Sequence, residues 1–167
     1  MGPGVRLAAG HLLAGLLLAG LATGAQAQTE PNIFWDRATW STGENAGTAY
    51  LLMQSTRAVV SALSVDYSLS GTATCGTDYT ITGADCTAGT GVFTIPAGTA
   101  AFTNVLFPIT LIDDTVNDNG ETIIVTLKDG AGYNLLTTDF VSTVTTYDDT
   151  GSAAFSLSGV AAVGETL

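Results

Sequence analysis

Histidine is almost missing from this sequence. Its one copy, His11, lies in the first apolar stretch of the 167 residues. Basic side chains are nearly as scarce: Lys128 is the only lysine, with Arg6, Arg37 and Arg57 beside it. Only 11% of the chain is charged, and fifteen acids leave a net charge of -11. Each scarcity excludes something. Without clustered Lys and Arg the chain has no phosphate-binding surface, so nucleic acid is not an expected partner. Docking on anionic lipid is excluded on the same ground. Lys128 stands between Leu127 and Asp129 rather than after a glycine and before Ser or Thr, so no phosphate loop is present. No Asn-x-Ser/Thr acceptor occurs. No segment sustains a 3.6-residue apolar period, which excludes a helical fold.

The N-terminus carries a different signal. Arg6 precedes an apolar run over 7–22, and Ala25-Gln26-Ala27 supplies the small residues of a signal-peptidase site. Residues 1–27 therefore read as a secretory signal, with an uncleaved membrane anchor as the rival reading. Cleavage after Ala27 removes Arg6 and His11 but no acid. The remaining chain would set fifteen acids against Arg37, Arg57 and Lys128, a balance of -12, and would hold no histidine. Ser-His-Asp and Cys-His catalysis and histidine-ligated metals are then excluded. Cys75 and Cys86, with ten residues between them in an exported chain, are expected to form a disulfide.

What remains is a series of short runs rich in Thr, Val, Ile and aromatics, punctuated by Gly, Asp and Asn. Strands are expected at 33–39, 48–54, 62–69, 79–82, 91–95, 101–112, 121–127 and 141–147. Alternation is clear at Val65, Tyr67 and Leu69, and at Ile123, Val125 and Leu127. Pro108 interrupts the longest run and marks a bulge or an edge. Seven or eight short strands with turn signals between them predict an all-β antiparallel sandwich. Residues 28–32 read as a short linker and 33–149 as the domain. Residues 150–167 read as a linker running into a further β module, or as a disordered tail.

The acids are grouped. Asp113-Asp114 ends one apolar strand, Asp118 and Glu121 follow in the next loop, and Asp148-Asp149 ends the last strand. Strands running the same way would bring both doublets to one end of the sandwich, with Glu44 and Asp78 in loops nearby. Clustered carboxylates repel unless water or a metal screens them. Hard oxygen ligands without histidine or free thiolate select Ca²⁺ over zinc or copper. A solvated acidic rim that only keeps the protein soluble is the competing reading. An EF-hand is excluded: with Gly120 at its sixth position, Thr115 and Thr126 would occupy positions that must be acidic.

Several motifs in order resemble the Calx-beta domain family. They are Trp40-Ser41-Thr42-Gly43-Glu44-Asn45-Ala46-Gly47, Ser64-Val65-Asp66-Tyr67-Ser68, Gly71-Thr72-Ala73-Thr74 and Gly76-Thr77-Asp78-Tyr79-Thr80. Gly91-Val92-Phe93-Thr94-Ile95-Pro96-Ala97-Gly98, Ile112-Asp113-Asp114, Gly120-Glu121-Thr122 and Tyr147-Asp148-Asp149 complete the series. The resemblance spans roughly 33–149. It implies a seven-stranded immunoglobulin-like antiparallel β-sandwich that binds Ca²⁺ through loops at one end. By position it implies Glu44, Asp78, Asp113, Asp114, Asp118, Glu121, Asp148 and Asp149 as the metal ligands. It also implies a structural or adhesive module, with a link to cell communication at the membrane by analogy. Three features depart from the family pattern: Thr150 in place of a third aspartate, Asn117 and Asn119 among the loop acids, and the Cys75–Cys86 segment, which resembles a stapled hairpin insertion.

Other chemistry is less supported. Trp35, Trp40, Tyr133 and Tyr147 could stack on sugars, and a Ca²⁺-independent carbohydrate- or protein-binding sandwich is the alternative function. The resemblance implies that Trp40 lies in the core, since it aligns with the family's buried first-strand aromatic; Trp35 is less constrained. A Ser-Lys dyad at Lys128 and a glycosidase pair at Asp113 and Asp114 are both disfavoured, so no enzymatic activity is expected.

Overall fold

The computed structural model describes residues 30–117 and 120–148, and every structural statement below concerns these residues. The apolar run over 7–22, the cleavage site, Asp118, Asp149 and the segment 150–167 lie outside them. Among the described residues no helix is long and apolar enough to cross a membrane.

Ten strands form two five-stranded sheets. They are β1 Asn32–Trp35, β2 Thr39–Gly43, β3 Thr48–Ser55, β4 Leu63–Gly71, β5 Tyr79–Ile81, β6 Thr90–Ile95, β7 Val105–Leu111, β8 Glu121–Leu127, β9 Asn134–Leu135 and β10 Val141–Tyr147. The first sheet has the order β5-β7-β3-β1-β9 and the second β2-β10-β8-β4-β6. The sandwich expected from the alternating runs is present. The count exceeds seven for identifiable reasons. The run expected as one strand at 33–39 divides: β1 pairs with β3 in the first sheet, and after Asp36–Ala38 the chain crosses to pair with β10 in the second. The two-residue β9 carries too little pattern to be read. Pairing is antiparallel except at β1–β9 and β2–β10, which are parallel. The second exception follows from the crossover, since β2 keeps the direction of β1.

Alternation produces the core because strand side chains point to opposite faces. In β3 the buried residues are Ala49, Leu51, Met53 and Ser55, and in β8 they are Ile123, Val125 and Leu127. An aromatic chain fills the space between the sheets. Tyr67 stacks on Phe93 at 4.1 Å between centroids, Phe93 meets Phe107 of the opposite sheet at 4.2 Å, and Trp35 meets Phe93 edge-on at 5.9 Å. The Trp35 indole N–H donates to the Val125 carbonyl at 3.2 Å, so one side chain ties the two sheets together. Trp35, only 2% exposed, is the buried aromatic of the first strand; Trp40 packs on the core but is only partly buried. Trp40 thus meets the core as expected, though only in part, while Trp35, which the sequence left open, is the more deeply buried. Trp35 sits on a strand internal to the first sheet, whereas Trp40 lies on β2 at the edge of the second.

Two local features follow from backbone chemistry. The Leu111 N–H donates to the Gly47 carbonyl on the β3 side, so alternation turns the Pro108 nitrogen toward the other edge of β7. There β5 reaches only Ile109 to Leu111, and the missing N–H leaves no ladder bond unmade. Gly91 lies opposite Tyr67 in the β4–β6 register, and a Cβ there would fall 2.2 Å from the tyrosine oxygen. Only glycine lets that ring lie across the neighbouring strand.

Candidate functional site

The strand directions collect the acids. β7 and β10 run the same way and finish at the same end of the sandwich, the condition under which the two doublets meet. At that end Tyr147 pairs with Gly43, so the residues that follow, Asp148 and Glu44, leave two adjacent parallel strands side by side. Glu44 opens a 3-10 turn, Glu44–Ala46, whose carbonyl accepts the Gly47 N–H at 3.2 Å. The Gly47 carbonyl accepts the Leu111 N–H at 2.9 Å, which brings in the chain leading to Asp113. The Ile112 N–H donates to the Asp78 carbonyl at 2.9 Å, which brings in Asp78. On the other side Glu121 pairs with Thr146, and the Gly120 N–H donates to the Thr146 carbonyl at 2.9 Å. The main chain therefore sets Glu121, Asp148, Glu44, Asp113, Asp114 and Asp78 along one arc that crosses from one sheet to the other.

The environments along this arc differ. Glu44 is buried at 3% exposure and Asp148 is nearly so at 9%. Glu121 is half-buried, as are Asp78 and Asp114, whereas Asp113 is exposed. Two of the acids also hold their own turns. The Asp78 carboxylate accepts the Thr74 N–H, and Asp114 Oδ1 accepts the Val116 N–H at 2.6 Å. Glu44, Asn45, Asn117, Glu121 and Asp148 each make polar or electrostatic contacts of their own. Asn45 is an oxygen donor the sequence reading did not select. Nothing in its spacing marks it, and only the 3-10 turn places it at the same end.

The donor chemistry suits a hard cation: carboxylate and amide oxygens, no histidine, and a cysteine pair that is oxidised. Cys75 and Cys86 form a disulfide with 5.2 Å between their Cα atoms, and no free thiol remains among the described residues. Ca²⁺ takes six to eight oxygens. Among the described residues no group of three or more His, Cys, Asp or Glu side chains stands close enough together to hold a metal. Asp118 and Asp149, two of the eight expected ligands, fall outside the described residues. The described carboxylates thus supply the right atoms at one end without forming a closed cage by themselves.

The described basic residues stand elsewhere. Arg57 and Lys128 follow the far ends of β3 and β8, and Arg37 lies in the crossover between β1 and β2. Seven residues of near-extended chain, roughly 20 Å, separate Arg37 from Glu44. At the far end Tyr133, one of the sugar-stacking candidates, is buried instead. Its hydroxyl donates to the Lys128 carbonyl at 2.6 Å and accepts the Asp66 N–H at 3.3 Å, which ties the β8–β9 turn to β4. Tyr147 is exposed and Lys128 is a solvated surface residue.

No protein-family profile and no curated protein matches the sequence. Solved structures do. The apo form of the Calx CBD1 domain superposes with a TM-score of 0.56 at 24% identity, over 72% of this chain and 98% of that one. The calcium binding domain CBD12 of CALX1.1 gives a TM-score of 0.56 at 25% identity, over 71% of this chain but only 46% of that longer one. The Calx CBD2 domain gives a TM-score of 0.53 at 11% identity, over 74% of this chain and 91% of that one. The chain has the Calx-beta sandwich fold, and one of the structures it resembles, CBD12 of CALX1.1, is described as a calcium binding domain.

Proposed function

We propose that this chain is an exported Calx-beta module that binds Ca²⁺ at its acidic end and uses the ion to stiffen a structural or adhesive spacer. The observation that carries the reading is the side-by-side departure of Glu44 and Asp148 from paired strands, both withdrawn from water at the end where four further acids gather. Withdrawing carboxylates from water is unfavourable unless hydrogen bonds, opposite charge or a metal compensates. Bound Ca²⁺ would add positive charge at the end where the acids gather. Glu44, Asp148, Asp113 and Glu121 would hold it, with Asp118 and Asp149 from the adjoining loops. Asp78 and Asp114 would serve by bracing their turns or by adding a second oxygen. Export rests on the leader-like sequence before Gln28. A role in cell communication at the membrane rests on analogy alone.

One observation favours the Ca²⁺-independent binding module as a second reading: no three described carboxylates meet. Melting the purified protein in EDTA, in millimolar Ca²⁺ and in millimolar Mg²⁺ at fixed ionic strength separates the two. The amides among the loop acids point to affinity on the order of 10⁻⁴ to 10⁻³ M. At about 100 times the dissociation constant Ca²⁺ adds roughly 2.7 kcal/mol. That corresponds to an increase of roughly 10 °C in Tm. Mg²⁺, which demands a tighter octahedral cage, gives a much smaller shift. Equal shifts with both ions mean charge screening, and no shift with either leaves the second reading in place.

A further inference from the structure

Toward the end of the sandwich away from the acids, two phenylalanines meet in the open. Ala100-Ala101-Phe102-Thr103 forms a turn in which the Thr103 N–H donates to the Ala100 carbonyl at 3.4 Å. Phe102 takes the third place with φ 56°, the only positive φ outside glycine among the described residues. A positive φ at that place ordinarily calls for Gly or Asn, and a bulky side chain there is strained. The Phe102 N–H fixes the conformation by donating to the Ser55 carbonyl at 2.8 Å. Yet the ring is 63% exposed, so its burial does little to offset the strain. It stands 6.4 Å from the half-buried Phe34 ring, tilted at 57° to it. Polar groups adjoin the pair. Phe34 lies opposite Gln54 in the β1–β3 register. Gln54 Nε2 donates to Asn104 Oδ1 at 2.7 Å and to Asp36 Oδ1 at 3.1 Å, and Asn104 Nδ2 donates to Asp36 Oδ2 at 3.4 Å. These bonds use only part of the cluster's capacity, since a carboxylate alone offers about four acceptor sites.

We propose that Phe102, Phe34 and the Asp36–Gln54–Asn104 cluster bind a neutral hexopyranose chain. The C–H face of a pyranose ring is apolar and lies on an aromatic ring, while hydroxyls at its edge both donate and accept hydrogen bonds. Asp36 and the Gln54 carbonyl accept from such hydroxyls, and the Asn104 amide donates to them. The tilt between the two rings suits a single soluble chain and not a flat crystalline surface. Charge narrows the class further: a protein with a net charge of -11 repels uronates and sulfated sugars. A protein partner fits less well. Two rings and three polar side chains cover far less than the roughly 800 Å² a specific interface needs on each side. Phe102 lies at the end opposite the acidic arc and needs no ion, so this site goes beyond the calcium reading and stands or falls separately from it.

The test is native affinity electrophoresis of the purified protein through gels holding a soluble β-glucan, a galactomannan or polygalacturonate. Retardation should grow with polysaccharide concentration in at least one of the two neutral gels and be absent from the acidic one. It should be the same in EDTA and in millimolar Ca²⁺. Phe102→Gly should weaken binding at least about tenfold. It should leave Tm level, because glycine adopts a positive φ freely. Asn104→Ala, at an exposed polar position, should weaken binding roughly threefold or more. Tyr147→Ser removes an aromatic 49% exposed at the acidic end and should change nothing. Retardation in neither neutral gel overturns the proposal, as does retardation that Phe102→Gly and Asn104→Ala both leave intact. A requirement for Ca²⁺, or loss of retardation in Tyr147→Ser, places the sugar at the acidic end and overturns it as well.

Discussion

The two ends of this sandwich solve the same problem in opposite ways. Each must finish several strands and satisfy the main-chain groups left there. At the end near Arg57 and Lys128 this is done by a neutral side chain. The buried Tyr133 hydroxyl bridges Lys128 and Asp66, and a tight turn at Pro96-Ala97-Gly98 closes with the Thr99 N–H donating to the Pro96 carbonyl at 3.3 Å. At the other end carboxylates do much of the work. Asp78 and Asp114 hold their turns, Glu44 opens the 3-10 turn, and a disulfide clamps the loop that carries β5. The first end is complete in itself. The second gathers like charge, and its stability therefore depends on solution conditions.

The largest expected effect is at the acidic end. Replacing Cys75 and Cys86 together by Ala opens the loop that delivers Asp78 and β5 to β7. The lost constraint on the unfolded chain lowers stability by roughly 2–3 kcal/mol. Urea unfolding should show it, and the loss should be similar with and without Ca²⁺ if the disulfide serves the fold and not the ion.

The tyrosines sharpen the contrast. Tyr133→Phe leaves the Asp66 N–H and the Lys128 carbonyl short of a partner and should lower stability by about 1–3 kcal/mol. Tyr67→Phe should be level or slightly stabilising, since the Tyr67 hydroxyl is buried with no hydrogen-bond partner among the described residues. If both variants lose the same amount, the hydroxyl bridge is not what completes the far end.

A smaller effect is set by pH. Burial, with a lesser contribution from nearby Tyr79, pushes the Tyr67 phenol up to about 12, and burial also raises Tyr79 and Tyr133. A phenol that keeps its proton longer in the folded than in the unfolded state contributes stability that is whole below pH 10. That contribution is lost as pH climbs toward 12. Melts at intervals from pH 9 to 12 should show a steady fall in Tm, and Tyr67→Phe should flatten part of it.

Much of the fold was legible because alternation is a strong local signal. The β3, β8 and β10 runs are half buried and read directly as strands. The division of 33–39 was not legible. Nothing local distinguishes a strand that changes sheets at Asp36–Ala38 from one that does not, and the choice is made by pairing with β3 and β10. That Trp35 is buried more deeply than Trp40 has the same origin. Of the site, the acidic doublets could be read as strand terminators, and the strand directions then bring Asp113-Asp114 and Asp148 to one end. What the sequence could not show is that Asp78 and Asp114 are bound into turns, that Glu44 is buried while Asp113 is exposed, or that Asn45 shares their end. The two turns are local, Asp78 to Thr74 and Asp114 to Val116, but nothing in the sequence says which acids close one. The burial of Glu44 and the place of Asn45 follow from the pairing of β2 with β10, about a hundred residues away.

The most direct test of the calcium account uses two double variants that remove equal charge from different regions. Glu44→Gln with Asp148→Asn removes it from the acidic end. Asp66→Asn with Asp129→Asn removes it from an outer face and the far end, where both side chains are exposed. Equilibrium dialysis against millimolar Ca²⁺ at fixed ionic strength then counts bound ions. The account predicts that the second variant keeps the binding of the unaltered protein while the first loses most of it. Equal binding by the two variants, or no binding by the unaltered protein, would contradict it.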